Sequence, residues 1–304
     1  MTRHVVPLLF LLAVPLPWLL GAGYTLQVAN LALLNAIAVV GLNFVTGWTG
    51  QISFGQAAFA GIGAYVTAVL SLAAVPFPVA LLLALVVAAG AGLLLGLPTL
   101  RLRTFYLAMA TIGFGEIVRL VLLHWEGVTG GSSGLRRLPG IGVGPYVLEG
   151  EAAHFWLLLA VLGLTVLAAV RIRESWLGRA MLATRDAEIA AELAGVDTVR
   201  VKVAAFMLAA VYAALSGGLY AGYVRYVSPD GFTNQQAVLL FTMLVLGGIG
   251  SIPGAVAGAA VLTILPELLR GLGEWYLVIY GLGVIALVAF LPGGLAGLAR
   301  RVRP

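Results

Sequence analysis

The chain has 304 residues, 62% of them hydrophobic and only 10% charged, with no cysteine and a formal net charge of +5. Soluble globular chains carry about 25% charged and roughly 45–50% apolar residues, so a soluble, secreted or nucleic-acid-binding domain is excluded; the positive excess comes from arginines at the ends of apolar runs rather than from a basic face. Without cysteine there is no disulfide framework, thiolate nucleophile or cysteine metal site.

Residues 4–100 contain no Asp, Glu, Lys or Arg, room for roughly four membrane spans of about 20 residues. The pattern predicts an all-α, polytopic integral membrane protein with eight to ten transmembrane helices, ten by the apolar segments, some short or broken. A single transmembrane domain covers residues 1–304. The first segment, Val5–Leu20, lies between Thr2-Arg3-His4 and Gly21-Ala22-Gly23 and also resembles a secretory signal peptide. Pro7, Pro15 and Pro17 favour a retained span.

The second and third segments, Leu26–Val45 and Phe54–Ala74, gather the uncharged polar residues Asn30, Asn35, Asn43, Gln51, Ser53 and Gln56. Their connection, Gly41–Gln51, holds three glycines and Trp48. Such residues suit a broken helix lining a cavity, which makes Asn43, Gln51, Ser53 and Gln56 candidates for a translocation path. They equally suit interhelical hydrogen bonds worth only ~0.6 kcal/mol each.

Pro76 and Pro78 introduce the fourth segment, Val79–Leu97. The fifth, Phe105–Leu123, carries Glu116 and Arg119, three apart and so on one helix face. Each charge costs about 2.5–3.5 kcal/mol at the bilayer centre, so both should face the bundle interior and pair. They are read either as part of the path (a polar gate or proton relay) or as a structural ion pair. An outer loop, residues 124–154, contains Thr129-Gly130-Gly131-Ser132-Ser133-Gly134, either an anion-binding nest or a flexible loop.

After the sixth segment, Phe155–Val170, comes the most charged part of the chain. Of the 32 residues in 171–202, a third are ionisable. Leu182, Ile189 and Leu193 fall at helical offsets, with Arg185, Glu188 and Glu192 on another face. Asp186 is a candidate N-cap, Gly195 a helix stop, and Asp197 a cap for the next span. The expected element is one short amphipathic helix against the inner membrane face, serving as a docking surface or a solvated connector. The seventh to tenth segments are Val203–Val224, Ala237–Ile249, Ala255–Leu269 and Trp275–Leu291. The charge-free stretch Gly231–Pro266, split by Gly247–Gly254, is tight for two full spans, so short or re-entrant helices are expected there. Gly250, Gly254 and Gly258, and likewise Gly218 and Gly222, mark helix contacts.

Ten spans place both termini on one side. With that side inside, Arg3, Arg101, Arg103, Arg171, Arg173, Arg179, Arg185, Arg200, Lys202, Arg300, Arg301 and Arg303 are internal. Only Arg136, Arg137, Arg225 and Arg270 are external, which predicts an N-in, C-in topology. The only lysine, Lys202, stands between two valines, so the chain has no GxxxxGK[ST] phosphate loop. There is no HExxH motif, and His4, His124 and His154 all sit at span ends. No catalytic residue, metal site or nucleic-acid partner is predicted.

The string GRAMLATRDAEIAAELAGVDTVRVK, Gly178 to Lys202, closely resembles the cytoplasmic coupling loop of branched-chain amino-acid ABC transporter permeases of the LivM type. Gly41–Tyr65, Leu100–Arg119, Thr129–Leu135 and Leu244–Ala259 are similar to the same family, and the resemblance runs from about Asn30 to Pro292. It implies a multi-pass protein of a bacterial or archaeal plasma (inner) membrane, one permease of an importer for branched-chain or related hydrophobic amino acids. A second related permease, two ATP-binding-cassette ATPase subunits and an extracytoplasmic solute-binding protein would complete it, with ATP used by the partners and no cofactor on this chain. By the resemblance, Gly178, Arg179, Arg185, Asp186, Glu188, Ile189 and Gly195 form or shape the docking element, while Asp197, Arg200 and Lys202 anchor it to the seventh span. Related permeases serve urea and short amides. The rival reading is a proton-coupled secondary transporter with Glu116 as its coupling carboxylate.

Overall fold

The computed structural model describes residues 23–99, 104–143, 146–269, 281–282 and 293–301. The expected first span and nearly all of the tenth lie outside the described residues. The eight segments between them all form helices, because a chain in hydrocarbon must satisfy its backbone N–H and C=O groups internally.

In chain order the elements are α1 (Tyr24–Leu42), continued by a π-helical turn (Asn43–Trp48), α2 (Gln56–Leu72), α3 (Phe77–Thr99), α4 (Thr104–His124) and the single turn α5 (Glu126–Thr129). The strands β1 (Leu135–Arg136), β2 (Gly142–Val143) and β3 (Tyr146–Val147) follow. Next come α6 (Glu151–Glu174), α7 (Trp176–Asp186), α8 (Glu188–Leu193), α9 (Thr198–Val224), β4 (Tyr226–Val227), α10 (Asn234–Gly247), α11 (Ile252–Leu269) and α12 (Gly294–Arg301). Among the described residues, six helices are long and apolar enough to cross a membrane: α1 with its π turn, α3, α4, α6, α9 and α11. The helices α2 and α10 are shorter, at 17 and 14 residues. At 1.5 Å per residue α10 reaches only about 21 Å, less than a hydrocarbon core of about 30 Å. The tightness of the Gly231–Pro266 stretch is resolved by this short helix.

The core is organised around α1 and α9, which are 72% and 67% buried, against 22–39% for the other four long helices. Helix α9 packs on α1, α2 and α3; α1 also packs on α6 and α11. Close approach comes from small residues. On α3, Ala80, Ala84 and Ala88 are fully buried at four-residue spacing. A Cβ on Gly63 of α2 would overlap the Ala214 backbone of α9, and one on Gly217 would overlap the Ala60 carbonyl. Gly254 and Gly258 press against α10, at Gly247 and the Met243 carbonyl, so the expected glycine contacts are present. The outward faces of α3 and α4 expose Leu82, Val86, Leu94, Phe105, Met109 and Ile117, as a lipid or protein partner requires.

The described residues are mostly helical, as expected. Two short antiparallel ribbons are added at the end opposite the charged connection, β1 with β4 (Leu135↔Val227) and β2 with β3 (Gly142↔Val147). The glycine-rich turn before β1 is also ordered, since the N–H groups of Gly130, Gly131 and Gly134 donate to Glu126, Thr129 and Gly131 respectively. Those donors are spent within the chain, which removes them from an anion nest.

Candidate functional site

The charged connection is shorter than its charge pattern suggests. Helix α6 continues to Glu174, with Arg171 and Arg173 in its last turn, where cations favour the helix dipole. Arg200 and Lys202 already belong to α9. Between them stand two helices rather than one. Ser175 caps α7, its Oγ accepting from the Gly178 N–H at 3.5 Å. Asp186 is not an N-cap; it is the last residue of α7, and α8 starts after Ala187 without a side-chain cap. The break at Ala187 splits the predicted apolar stripe. Leu182 packs half-buried on the core, whereas Ile189 and Leu193 point away from it, 76% and 85% exposed.

Both ends of α8 are fixed. Gly195 takes the left-handed conformation, φ +84°, that lets Val196 N–H reach the Ala191 carbonyl at 3.0 Å. Asp197 caps α9 as expected, accepting from Arg200 N–H at 3.0 Å and pairing with its guanidinium at 2.9 Å. Lys202, only 9% exposed along its side chain, pairs with Glu188, and Thr198 donates to Glu192 at 2.6 Å. Arg179 donates to the Glu174 carbonyl at 2.7 Å. Gly178 has no room for a side chain, because a Cβ would overlap the backbone of Ile172 and Arg173 where α7 folds back against α6. The structure thus uses Gly178, Arg179, Glu188, Gly195, Asp197, Arg200 and Lys202 to hold a platform, with Ile189, Leu193 and Asp186 displayed on it.

Arg185 points the other way. Its Nη1 donates to the Gly47 carbonyl at 2.6 Å, in the π turn that ends α1. In the same turn Asn43 Oδ1 accepts from Gly250 N–H at 2.9 Å, and Trp48 Nε1 donates to the Gly250 carbonyl at 3.4 Å. Asn43 is therefore fully buried and joins the α1 break to the α10–α11 break.

The other candidate path residues have varied surroundings. Gln56 donates to the carbonyls of Ala38 and Ala209, tying α1, α2 and α9 together. Ser53 accepts from Gly55 N–H at 3.3 Å, a local turn. Gln51 is buried, and its Oε1 has no partner among the described residues. Glu116 and Arg119 do pair, at 2.8 Å, with Asn234 adding a 3.3 Å hydrogen bond to Glu116. Among the described residues the pair is not enclosed: the Glu116 and Arg119 side chains are 41% and 26% exposed, on the least buried of the long helices. A cavity of about 410 Å³ opens elsewhere, between α1, α2, α9, α10 and α11, lined by Asn35, Ser216, Tyr220, Phe232, Gln236 and Thr263 among others. None of the six candidate path residues lines it.

The sequence of residues 24–292 matches a family described as "Branched-chain amino acid transport system / permease component". The chain belongs to that family. It is 35% identical to the high-affinity branched-chain amino acid transport system permease protein LivM of Escherichia coli K12, over 96% of this chain and 74% of the relative. A permease protein LivH of the same strain is 39% identical over 37% of this chain and 35% of its own. The autoinducer 2 import system permease protein LsrC of Escherichia coli O9:H4 is 30% identical over 60% of this chain and 54% of its own. No solved structure matches. With six long apolar helices among the described residues, this permease-family chain is a multi-pass inner-membrane protein.

Sequence reasoning missed several parts of this permease. Asn35 stood out by polarity, but its partner Thr263, 3.0 Å away on α11, looks like an ordinary helix residue. The cluster of Glu151 with Asn30 and Tyr223, beside the buried His154, joins α1, α6 and α9. Asn30 stood out by polarity and His154 by its place at a span end, but nothing in the sequence joined them to Glu151 and Tyr223.

Proposed function

We propose that the chain is one of two permease subunits of an ATP-binding-cassette importer for branched-chain amino acids. The observation that carries this reading is the α7–α8 platform. It displays Ile189 and Leu193 to solvent while Arg179, Arg185, Glu188, Glu192, Asp197, Arg200 and Lys202 are engaged within the chain. A solvated connector needs no such construction, whereas an ATPase subunit bound at the cytoplasmic face does. The names of the LivM and LivH relatives support the substrate and a second permease as partner. ATP is bound and hydrolysed by the ATPases, and a binding protein delivers the amino acid at the ribbon end.

The path runs along the face of α4 that carries Glu116 and Arg119. A half-exposed ion pair within a span is costly against lipid, so this face meets the second permease or the water between the two. Glu116→Gln keeps the size and one acceptor oxygen. The expected result is normal insertion and assembly with uptake lowered about tenfold, ~1.4 kcal/mol in the transport step. Unchanged uptake would remove the pair from the path.

The deciding experiment is purification of the tagged chain from its native membrane in mild detergent, then reconstitution with whatever co-purifies and its binding protein. Recovery of a second permease and ATPases, with ATP-dependent uptake of leucine, isoleucine or valine, is expected. Uptake by this chain alone on a proton gradient would instead establish a secondary carrier, and uptake of urea or autoinducer 2 in place of the amino acids would reassign the substrate.

A further inference from the structure

Two helix breaks lie together at the charged end, at Gly47-Trp48-Thr49-Gly50 after α1 and at Gly247-Gly248-Ile249-Gly250 between α10 and α11. The two breaks touch. Asn43 and Trp48 both bond the backbone of Gly250, and a Cβ on Gly47 would come within 2.9 Å of Gly250 N. Arg185 lies across both. Besides its 2.6 Å bond to the Gly47 carbonyl, its Nη1 would stand 3.1 Å from a Cβ on Gly250, and its Cγ 3.1 Å from one on Gly50. Side chains at either position would therefore crowd the arginine.

We infer that Arg185 is a positioning residue for transport: it pins the two helix breaks to α7, so that a displacement of the platform moves both breaks together. This rests on the importer reading. Three features carry the inference. The guanidinium is a fixed charge, and its bond to a neutral carbonyl is charge-assisted and directional. Arg185 sits two residues before the Ala187 break, between the displayed face of α8 and the membrane helices. The π turn and the residues just after it also hold unspent hydrogen-bonding groups: Asn43 Nδ2, Thr46 Oγ1 and, beyond the turn, Gln51 Oε1 are buried without partners among the described residues. A second arrangement of the break that satisfies them offers the differential contacts a two-state switch requires. Arg185 accordingly does not act by gripping the ATPase.

The test uses the assembled transporter in proteoliposomes, with transport and ATP hydrolysis measured together. For Arg185→Ala, ATPase subunits are expected to co-purify as in the unaltered protein and hydrolysis to continue. Amino acid moved per ATP should fall by about 10- to 100-fold, the weight of a hydrogen bond to a charged donor. Arg185→Lys, which keeps the charge and a donor, should restore part of that ratio; a purely structural role would lower yield and leave the ratio alone. Unchanged stoichiometry, or loss of the ATPase subunits, overturns the inference. A second readout is independent of ATP. The chain has no cysteine, so Ser251→Cys, in the α10–α11 break, reports that turn alone. Its reaction with a maleimide should quicken several-fold when Arg185→Ala is added, and an unchanged rate refutes the pin. If the unaltered chain brings down no ATPase, the importer reading fails while the maleimide rate still judges the pin.

Discussion

Gly217→Leu is expected to abolish recovery of folded protein, and Gly217→Ala to lower its melting temperature in detergent by several degrees. Gly217 faces the Ala60 carbonyl of α2, and Gly63 of α2 returns the contact on the Ala214 backbone of α9. Even one methyl at either place overlaps backbone atoms, which cannot swing aside as the end of a long side chain can. The helices must separate, and the hydrogen bonds from Gln56 to the Ala38 and Ala209 carbonyls stretch with them. Overpacking of a tight interior costs about 1–3 kcal/mol, and backbone contact puts Gly217→Ala near the upper end. Gly63→Ala should cost a similar amount. The double variant should not simply add, because both methyls push apart one interface. Gly90→Ala and Gly113→Ala are the controls: a Cβ at either position meets nothing within 4 Å, so both should melt no lower than the unaltered chain, and slightly higher through alanine's better helix propensity. Equal melting of Gly217→Ala and the controls would show that the two helices are not held at this spacing.

The membrane helices were legible because their signal is long and redundant: about 20 apolar residues without charge have few alternatives. Ends were less legible for the same reason. Arg171, Arg173, Arg200 and Lys202 read as loop by their charge, yet they extend α6 and α9 beyond the apolar part, since nothing about an arginine opposes a helix once water is available. The split at Ala187 was legible only in part: Asp186, read as an N-cap, marked a helix start beside it, but the separate helix α7 that ends at Asp186 carried no signal of its own. Caps were legible where a short polar side chain had one local donor to meet, as at Asp197, and misread at Asp186, where the same residue type ends a helix. The pairing of Glu116 with Arg119 followed from their spacing; the exposure of the pair did not, because one sequence cannot say which face of a span a partner covers. The contact of Gly47 with Gly250 joins positions two hundred residues apart and has no local signature.

Ile189→Asp with Leu193→Asp is expected to remove the ATPase subunits from the purified complex while leaving the chain inserted and its melting temperature unchanged. Both side chains stand clear of the core, at 76% and 85% exposure, so the fold should lose little; substitutions away from buried features usually shift stability by less than about 0.5 kcal/mol. Their helix does not depend on them either, being held by Glu188 to Lys202, Glu192 to Thr198 and the Gly195 turn. Burying a large aliphatic side chain contributes about 1.5–3 kcal/mol. At the lower bound the pair therefore accounts for about 3 kcal/mol, roughly a hundredfold in affinity, and a carboxylate in an apolar pocket adds an unpaired buried charge. Glu188→Gln separates the platform from the contact: it breaks the ion pair with Lys202 and should loosen α8, lowering thermal stability before it lowers ATPase recovery. If the double aspartate variant keeps its ATPases but loses affinity for lipid, the two side chains lie in the membrane interface, and Asp186, without a partner among the described residues, becomes the remaining candidate contact on α7.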